Sequence, residues 1–174
     1  MKTFLKFSGI IAFVLGLVAF ILLLATVGVT FKYEGALVSA SGEAAGTTVL
    51  FGKTEKIMGV EVVTKAAPTA LIAWILIIVA LIILCLGVVL PLLKVKALEK
   101  FAGLLNLVAV IALVVAGILL FFTVLGFTGA NKVDSDAVKY YHLGAGWVVA
   151  AILAILGGVV AILPAVADFA GKKK

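Results

Sequence analysis

Four long uncharged stretches divide the chain, and each is rich in Leu, Ile, Val and Ala. They contain 25, 28, 31 and 28 residues and lie between Lys6 and Lys32, Lys65 and Lys94, Lys100 and Lys132, and Lys139 and Asp168. An α-helix needs about 20 apolar residues to cross the hydrocarbon of a bilayer. Each stretch is therefore long enough for one crossing and too short for two. The pattern predicts an all-α membrane protein, a bundle of four transmembrane helices in one domain (1–174), with spans at about 7–29, 69–93, 101–127 and 142–166.

Charge gives the expected orientation. The two ends and the connector 94–100 carry eight lysines against two acidic residues, whereas the loops 30–68 and 128–141 are each neutral. Lysine-rich segments beside the spans tend to stay in the cytoplasm, so we expect both termini inside, both loops outside, and a location in the cell membrane. The excess of lysine that gives the pI of 9.5 then suits contact with anionic lipid headgroups, and no nucleic-acid partner is expected. No small-residue cleavage site follows the first stretch, so we expect it to be retained rather than removed as a signal peptide.

The chain resembles one helical hairpin written twice. Residues 6–11 (KFSGII) and 100–105 (KFAGLL) open the first and third spans, and the second and fourth spans each run from a Trp to a Pro 17 residues later. The pairs are Trp74 with Pro91 and Trp147 with Pro164. Each match alone is weak evidence for a duplication, since Trp favours membrane interfaces in any span. Together they favour a duplication into two parallel hairpins related by an axis along the membrane normal.

The first outer loop, 30–68, is the segment least explained by membrane crossing. Strand-like patterns occur at 30–40, 47–51 and 59–64. The segments between them, 41–46 and 52–56, have the composition of turns. We predict a small extracytoplasmic antiparallel sheet of about three strands, with Pro68 ending the loop; a disordered loop is the alternative. The candidate extracytoplasmic contacts are Phe31, Tyr33, Leu37, Val49, Phe51, Val60 and Val62.

Candidate chemistry is sparse. No span contains an internal Asp, Glu, Lys, Arg or His, although ion pathways and proton relays place such residues at membrane depth. The chain has no catalytic triad, no P-loop and no Cys/His cluster with metal-ligand spacing. We therefore expect no enzyme, no catalytic or metal site, and no cofactor. The single cysteine, Cys85, is expected to pack as a small apolar residue.

Polar residues of the second loop allow two interpretations each. His142 is a metal ligand or pH sensor in one, and an interfacial residue beside two tyrosines in the other, which we favour. Asn131, Asp134 and Asp136 could offer oxygens to a cation. More simply, Asp134 or Ser135 caps the helix of span four, with Asp136 in its first turn.

Small residues recur every four positions in three of the spans, a spacing that lets helices approach closely. We expect them to pack within the bundle. Span four has two such stripes, at 150, 154 and 158 and at 157, 161 and 165, which would allow it to serve a second protomer as well as the bundle. Asn106, an amide inside span three, should hydrogen-bond a neighbouring helix or a second copy. The candidate packing or interface residues are Ala12, Gly16, Asn106, Ala112, Ala116, Ala150, Ala154, Gly157, Gly158, Ala161 and Ala165.

Four spans, both ends inside and a strand-forming first loop resemble the claudin and peripheral-myelin group of tetraspan proteins. That family carries a Trp, a Gly-Leu-Trp motif and two Cys in its first loop, whereas loop 30–68 has no Trp and no Cys. The resemblance therefore covers topology alone and transfers no functional residue. Residues 49–56 (VLFGKTEK) are also similar to small bacterial tetraspan proteins, a likeness that implies no activity.

These observations lead to a functional expectation and two alternatives. We expect a non-enzymatic structural or interaction protein that self-associates, or binds a membrane-protein partner, through its outer loop and small-residue helix faces. One alternative is a passive channel or small-molecule transport component whose oligomer lines a pore with Thr26, Thr30, Asn106 and Thr123. The other is an accessory subunit of a larger membrane complex.

Overall fold

The structure is a computed structural model that describes residues 2–35, 38–57, 59–93 and 102–171. In chain order its elements are α1 (Lys2–Ala25), β1 (Val27–Glu34), β2 (Ser39–Ala45), α2 (Gly46–Phe51), β3 (Lys53–Ile57), β4 (Val60–Thr64), α3 (Pro68–Leu93), α4 (Ala102–Phe121), α5 (Thr123–Ala130), a 3₁₀ turn (Val138–Tyr140), β5 (Tyr141–Leu143) and α6 (Ala145–Gly171). The predicted connector 94–100 and the last three lysines lie outside the described residues.

Helices α1, α3, α4 and α6 each contain a segment of 19 or 20 residues that is long and apolar enough to cross a membrane. This length and composition support a multi-pass membrane protein with four spans. Helix α6 packs against α4 and α1, and α3 packs against the same two helices. The four long helices therefore form a bundle in which each contacts two neighbours. More than half of the buried hydrophobic side chains are alanine, which allows close helix approach.

Three of the four spans differ from the prediction. The first span ends at Ala25 rather than 29, because strand β1 begins at Val27. The fourth begins at Ala145 rather than 142, because residues 141–143 form β5. The third is interrupted at Phe122, where the Thr69 hydroxyl donates to the Phe122 carbonyl at 3.4 Å. The Phe122 carbonyl also accepts the Gly126 amide at 3.1 Å, and the Phe122 amide donates to Leu119 three residues back at 3.0 Å, so the interruption is a single tighter turn.

At one end of the bundle lies a cap, defined here as β1–β5 with α2. The strand order β2–β1–β5 gives a three-stranded antiparallel sheet, and β3 pairs with β4 as a separate antiparallel hairpin. The small antiparallel element expected in the first loop is therefore present. The third strand of the sheet, β5, lies where the second loop meets the predicted fourth span, and it pairs with residues 29–31.

Inside the first loop, several segment assignments were wrong. The predicted strand 47–51 is helix α2, and the predicted turns 41–46 and 52–56 form most of strands β2 and β3. The β-branched content of 47–51 is overridden by burial: Gly46, Val49 and Leu50 are buried at positions i, i+3 and i+4. That spacing places them on one helical face. The strand predicted at 59–64 is confirmed as β4.

The cap is joined to the bundle where α1 ends. The Gly46 amide donates to the Thr26 carbonyl and the Gly144 amide to the Gly28 carbonyl, both at 2.9 Å. Gly28 itself lies against Val49 and the ring of Trp147, the largest fully buried side chain. A Cβ at Gly46 or Gly144 would overlap a backbone carbonyl oxygen of α1 or β1. Three glycines therefore permit the backbones of α1, α2 and the start of α6 to meet.

We expect Gly144→Ala to destabilise the protein by about 2–3 kcal/mol, because the added methyl group would overlap the Val27 carbonyl oxygen and force a backbone shift. The measurement is unfolding of the purified protein in mild detergent. Gly129→Ala is the matched control, since a Cβ there meets nothing within 4 Å. Equal stability of the two variants would contradict the close approach.

Candidate interaction surface

The two small-residue stripes of α6 face two different helices of the same chain. A Cβ at Gly158 would lie 2.6 Å from Val114 Cγ2 of α4, whereas one at Gly157 would lie 3.3 Å from the Ala12 carbonyl oxygen of α1. All six stripe residues are buried: Ala150, Ala154 and Gly158 in one stripe, and Gly157, Ala161 and Ala165 in the other. Both stripes are thus occupied within one chain, and neither leaves a small-residue face for a second copy.

The remaining packing candidates also lie inside the bundle. Ala12, Gly16, Ala112 and Ala116 are buried. Asn106 is half-buried on α4, and a Cβ added to Gly87 of α3 would lie 3.3 Å from its Oδ1 atom. The amide therefore faces the neighbouring helix rather than the outside of the bundle.

The outer surfaces of the four helices carry large apolar side chains. Examples from each are Ile11 and Ile21, Ile75 and Ile82, Ile111 and Ile118, and Ile152 and Val159. Cys85 is also exposed on α3, so it does not pack among the buried side chains of this chain. Such a surface suits contact with lipid tails, which are as apolar as leucine.

The outer-loop candidates divide into exposed and structural residues. Tyr33, Phe51, Val60 and Val62 are exposed, and Phe31 is half-buried. Val49 is 0% exposed, so it supports the cap from beneath and is unavailable as a surface contact. Leu37 lies outside the described residues.

A row of aromatic rings crosses the cap. Tyr33 lies 4.9 Å from Tyr140, Phe31 lies 5.0 Å from Tyr141, and Tyr141 lies 6.4 Å from Phe127, measured between ring centroids. The row therefore connects β1, the 3₁₀ turn, β5 and α5. Sequence reasoning assigned no role to Phe127 and treated the two tyrosines of the second loop as an interfacial belt. The adjacency of Tyr140 and Tyr141 in a polar loop was the sequence signal that could have indicated this row.

A cavity of about 400 Å³ opens beside this row. Its volume is within the range of small-molecule pockets. The β3–β4 hairpin forms one wall of the cavity, and this wall carries the ion pair between Lys53 and Glu55. The lining residues are Val29, Phe31, Gly42, Glu43, Ala44, Ala45, Thr48, Lys53, Glu55, Thr64, Phe127 and Tyr141.

The pore-lining alternative gains no support from the positions of its four residues. The Thr26 hydroxyl donates to the Leu22 carbonyl at 2.7 Å, and the Thr30 hydroxyl to the His142 carbonyl at 3.4 Å. Thr123 is fully buried. None of these residues, nor Asn106, lines the cavity of the cap.

The second loop is organised differently from the prediction. Helix α6 begins at Ala145, so neither Asp134 nor Ser135 caps it and Asp136 is not in its first turn. The Asp134 carbonyl instead accepts the amide of Ala137 at 2.9 Å in the turn before the 3₁₀ segment. His142 is an exposed residue of β5. Within the described ranges, no three His, Cys, Asp or Glu residues are grouped to hold a metal ion.

Asn131 holds the end of α5 to the start of the second span. Its Oδ1 accepts the Lys65 amide at 2.8 Å, and its Nδ2 donates to the carbonyls of Lys65 at 3.0 Å and Phe127 at 2.9 Å. The side chain thus pairs with the amide and the carbonyl of Lys65 as a neighbouring strand would, and it ties the segment between β4 and α3 to α5. These backbone contacts occupy its amide, which explains its position without a cation.

The chain matches no protein-family model and no curated protein sequence. The resemblance to the claudin and peripheral-myelin group therefore stays a prediction from topology.

We expect Asn131→Ala to loosen the segment after β4, because three hydrogen bonds are lost. Each is worth about 0.5–1.5 kcal/mol, so amide exchange of residues 62–67, measured by mass spectrometry, should quicken about tenfold or more. Asn131→Asp keeps the acceptor for the Lys65 amide but loses both donors, and its exchange should be intermediate. Unchanged exchange in the alanine variant would contradict this role.

Proposed function

We propose that the protein is a non-enzymatic, multi-pass protein of the cell membrane that binds a partner protein through its extracytoplasmic cap. The main support is a pair of exposed valines on one face of the β3–β4 hairpin. Val60 is 65% and Val62 43% exposed. An apolar patch left in water outside the bundle is typical of an interaction site.

Strand register connects this face with the cavity. Lys53 pairs with Thr64, Glu55 with Val62, and Ile57 with Val60. Directly opposed residues share one face of a sheet, so Val60 and Val62 continue the face whose Lys53, Glu55 and Thr64 line the cavity. Val63, paired with Thr54, is on the opposite face and is 58% exposed. The cavity and the two valines thus form one continuous surface, named here the hairpin face.

The small-residue helix faces are a weaker basis for association. Both α6 stripes are filled by α4 and α1 of the same chain, and the outward faces carry bulky side chains suited to lipid. We therefore place partner binding on the cap, with both termini in the cytoplasm as the lysine distribution favours. A larger membrane complex that uses this chain as an accessory subunit is one form such a partner can take.

Orientation is tested by labelling single cysteines in intact cells. In a Cys85→Ala background, Ser39→Cys should react with a membrane-impermeant maleimide, because β2 is exposed in the cap. A cysteine replacing Lys173 should react only after the membrane is permeabilised. The reverse pattern would invert the proposed topology.

Partner binding is tested with a photo-cross-linking amino acid at position 60, in native membranes. We expect a discrete cross-linked product that falls about tenfold when Val62→Lys places a charge on the hairpin face. Val63→Lys is the matched control and should leave the product within about twofold. A cross-linker at position 149, on the lipid-facing side of α6, should give no such product. Loss of the product in both lysine variants, or no product at position 60, would contradict the proposal.

A further inference from the structure

Strand β2 is an open edge. Among the strands that the structure describes, it pairs only with β1 and is the terminal member of its sheet. Six of its seven residues are exposed. It contains no proline and no lysine, and Glu43 is its only charge. Natural proteins usually protect such edges with charges, prolines or short strands, so this edge is unusually accessible to another strand.

The register identifies the backbone groups that are free to pair. Gly35 donates to the Val38 carbonyl at 3.0 Å, which makes these two residues a hydrogen-bonded pair at the hairpin turn. Hydrogen-bonded and non-bonded pairs alternate along an antiparallel ladder. Ala40, Gly42 and Ala44 therefore bond to β1. The amides and carbonyls of Ser39, Ser41 and Glu43 point away from it.

Gly42 opens the cavity beside this edge. It is paired with Phe31, and a Cβ added to it would meet nothing within 4 Å. Gly42 and Phe31 both line the cavity, together with Tyr141 and Phe127. On a strand added to β2, the residue opposite Gly42 would project from the same sheet face as Phe31. Its side chain would therefore enter a cavity whose walls include three aromatic rings.

We propose that an extended peptide segment of the partner protein adds to β2 as a fourth strand and places one large apolar or aromatic side chain over Gly42. This inference rests on the proposed function and names the form of its partner. In this mode of recognition the main-chain hydrogen bonds supply affinity, and pockets for alternate side chains supply specificity. Pairing of β2 with the β2 of a second copy fits less well. Its side chains are those of Ser, Ala, Gly and Glu, and none is a large apolar group that would fill the cavity.

The test begins with the full chain in lipid nanodiscs and a displayed library of random nonapeptides. We expect selection of peptides with alternating polar and β-branched residues around one central Phe, Leu or other large apolar residue. The best synthetic peptide should bind saturably, and replacing its central residue by Ala should weaken binding about tenfold. No enrichment, or enrichment without a large apolar residue, would overturn the proposal.

Two variants test the edge and the cavity separately. Ser41→Pro removes an outward amide while leaving the ladder to β1 intact, a position where strands tolerate proline, and should weaken peptide binding about tenfold or more. Ser41→Ala keeps the amide and should change binding less than about twofold. Gly42→Leu fills the cavity, so the Phe and Ala peptides should then bind equally. Full binding by Ser41→Pro, or a retained preference for Phe in Gly42→Leu, would refute the added strand.

Two further measurements separate this inference from its alternatives. A peptide N-methylated on its edge-facing amides should fail to bind the unaltered protein, which tests strand addition even if Ser41→Pro does not fold. A doubled protein mass in light scattering, abolished by Ser41→Pro, would replace the proposal with self-pairing of β2. If the Val62-dependent cross-link survives in Ser41→Pro, the proposed function stands and the added strand fails.

Discussion

The fold depends on the close approach of three backbone segments at the end of α1. Residues 26–28 accept the amides of Gly46 and Gly144, while Gly28 lies against the buried Trp147 ring. Side chains at these glycines would separate α2 and α6 from α1. Because the chain enters the cap directly from this point, the same contacts position both β1 and β5. The bundle and the cap are therefore parts of one packed structure.

Different parts of the surface are therefore suited to different contacts. Inside the bundle, alanine and glycine are used where helices touch, so the faces best suited to helix association are already filled. Outside it, the long helices carry branched side chains that lipid can cover. Among the described residues, the cap is where an aromatic row, a cavity and two exposed valines lie together. The cap is therefore a better candidate for an interaction surface than the spans.

Individual residues show where sequence reasoning succeeded at this site. Tyr33, Phe51, Val60 and Val62 were identified from the composition of the first loop and are exposed in the cap. Val49 was included for the same reason, yet it is buried, because a short helix turns it towards Gly28. Gly42 and the Tyr141–Phe127 contact were missed, since one was assigned to a turn and the other joins residues of two different elements. A one-dimensional pattern reports periodicity, but it does not report which loop folds against which.

The sequence by itself determined the four apolar helices and their approximate limits, the neutrality of both loops, and the strand-forming character of the first. These properties follow from hydrophobicity, charge and local backbone preference, which are carried by neighbouring residues. Only the tertiary structure decided that 46–51 is a helix, that β5 completes the sheet, that both α6 stripes are used internally, and that β2 remains an open edge. Each of these depends on burial and hydrogen bonding between segments far apart in the chain, and those energies exist only once the segments have met.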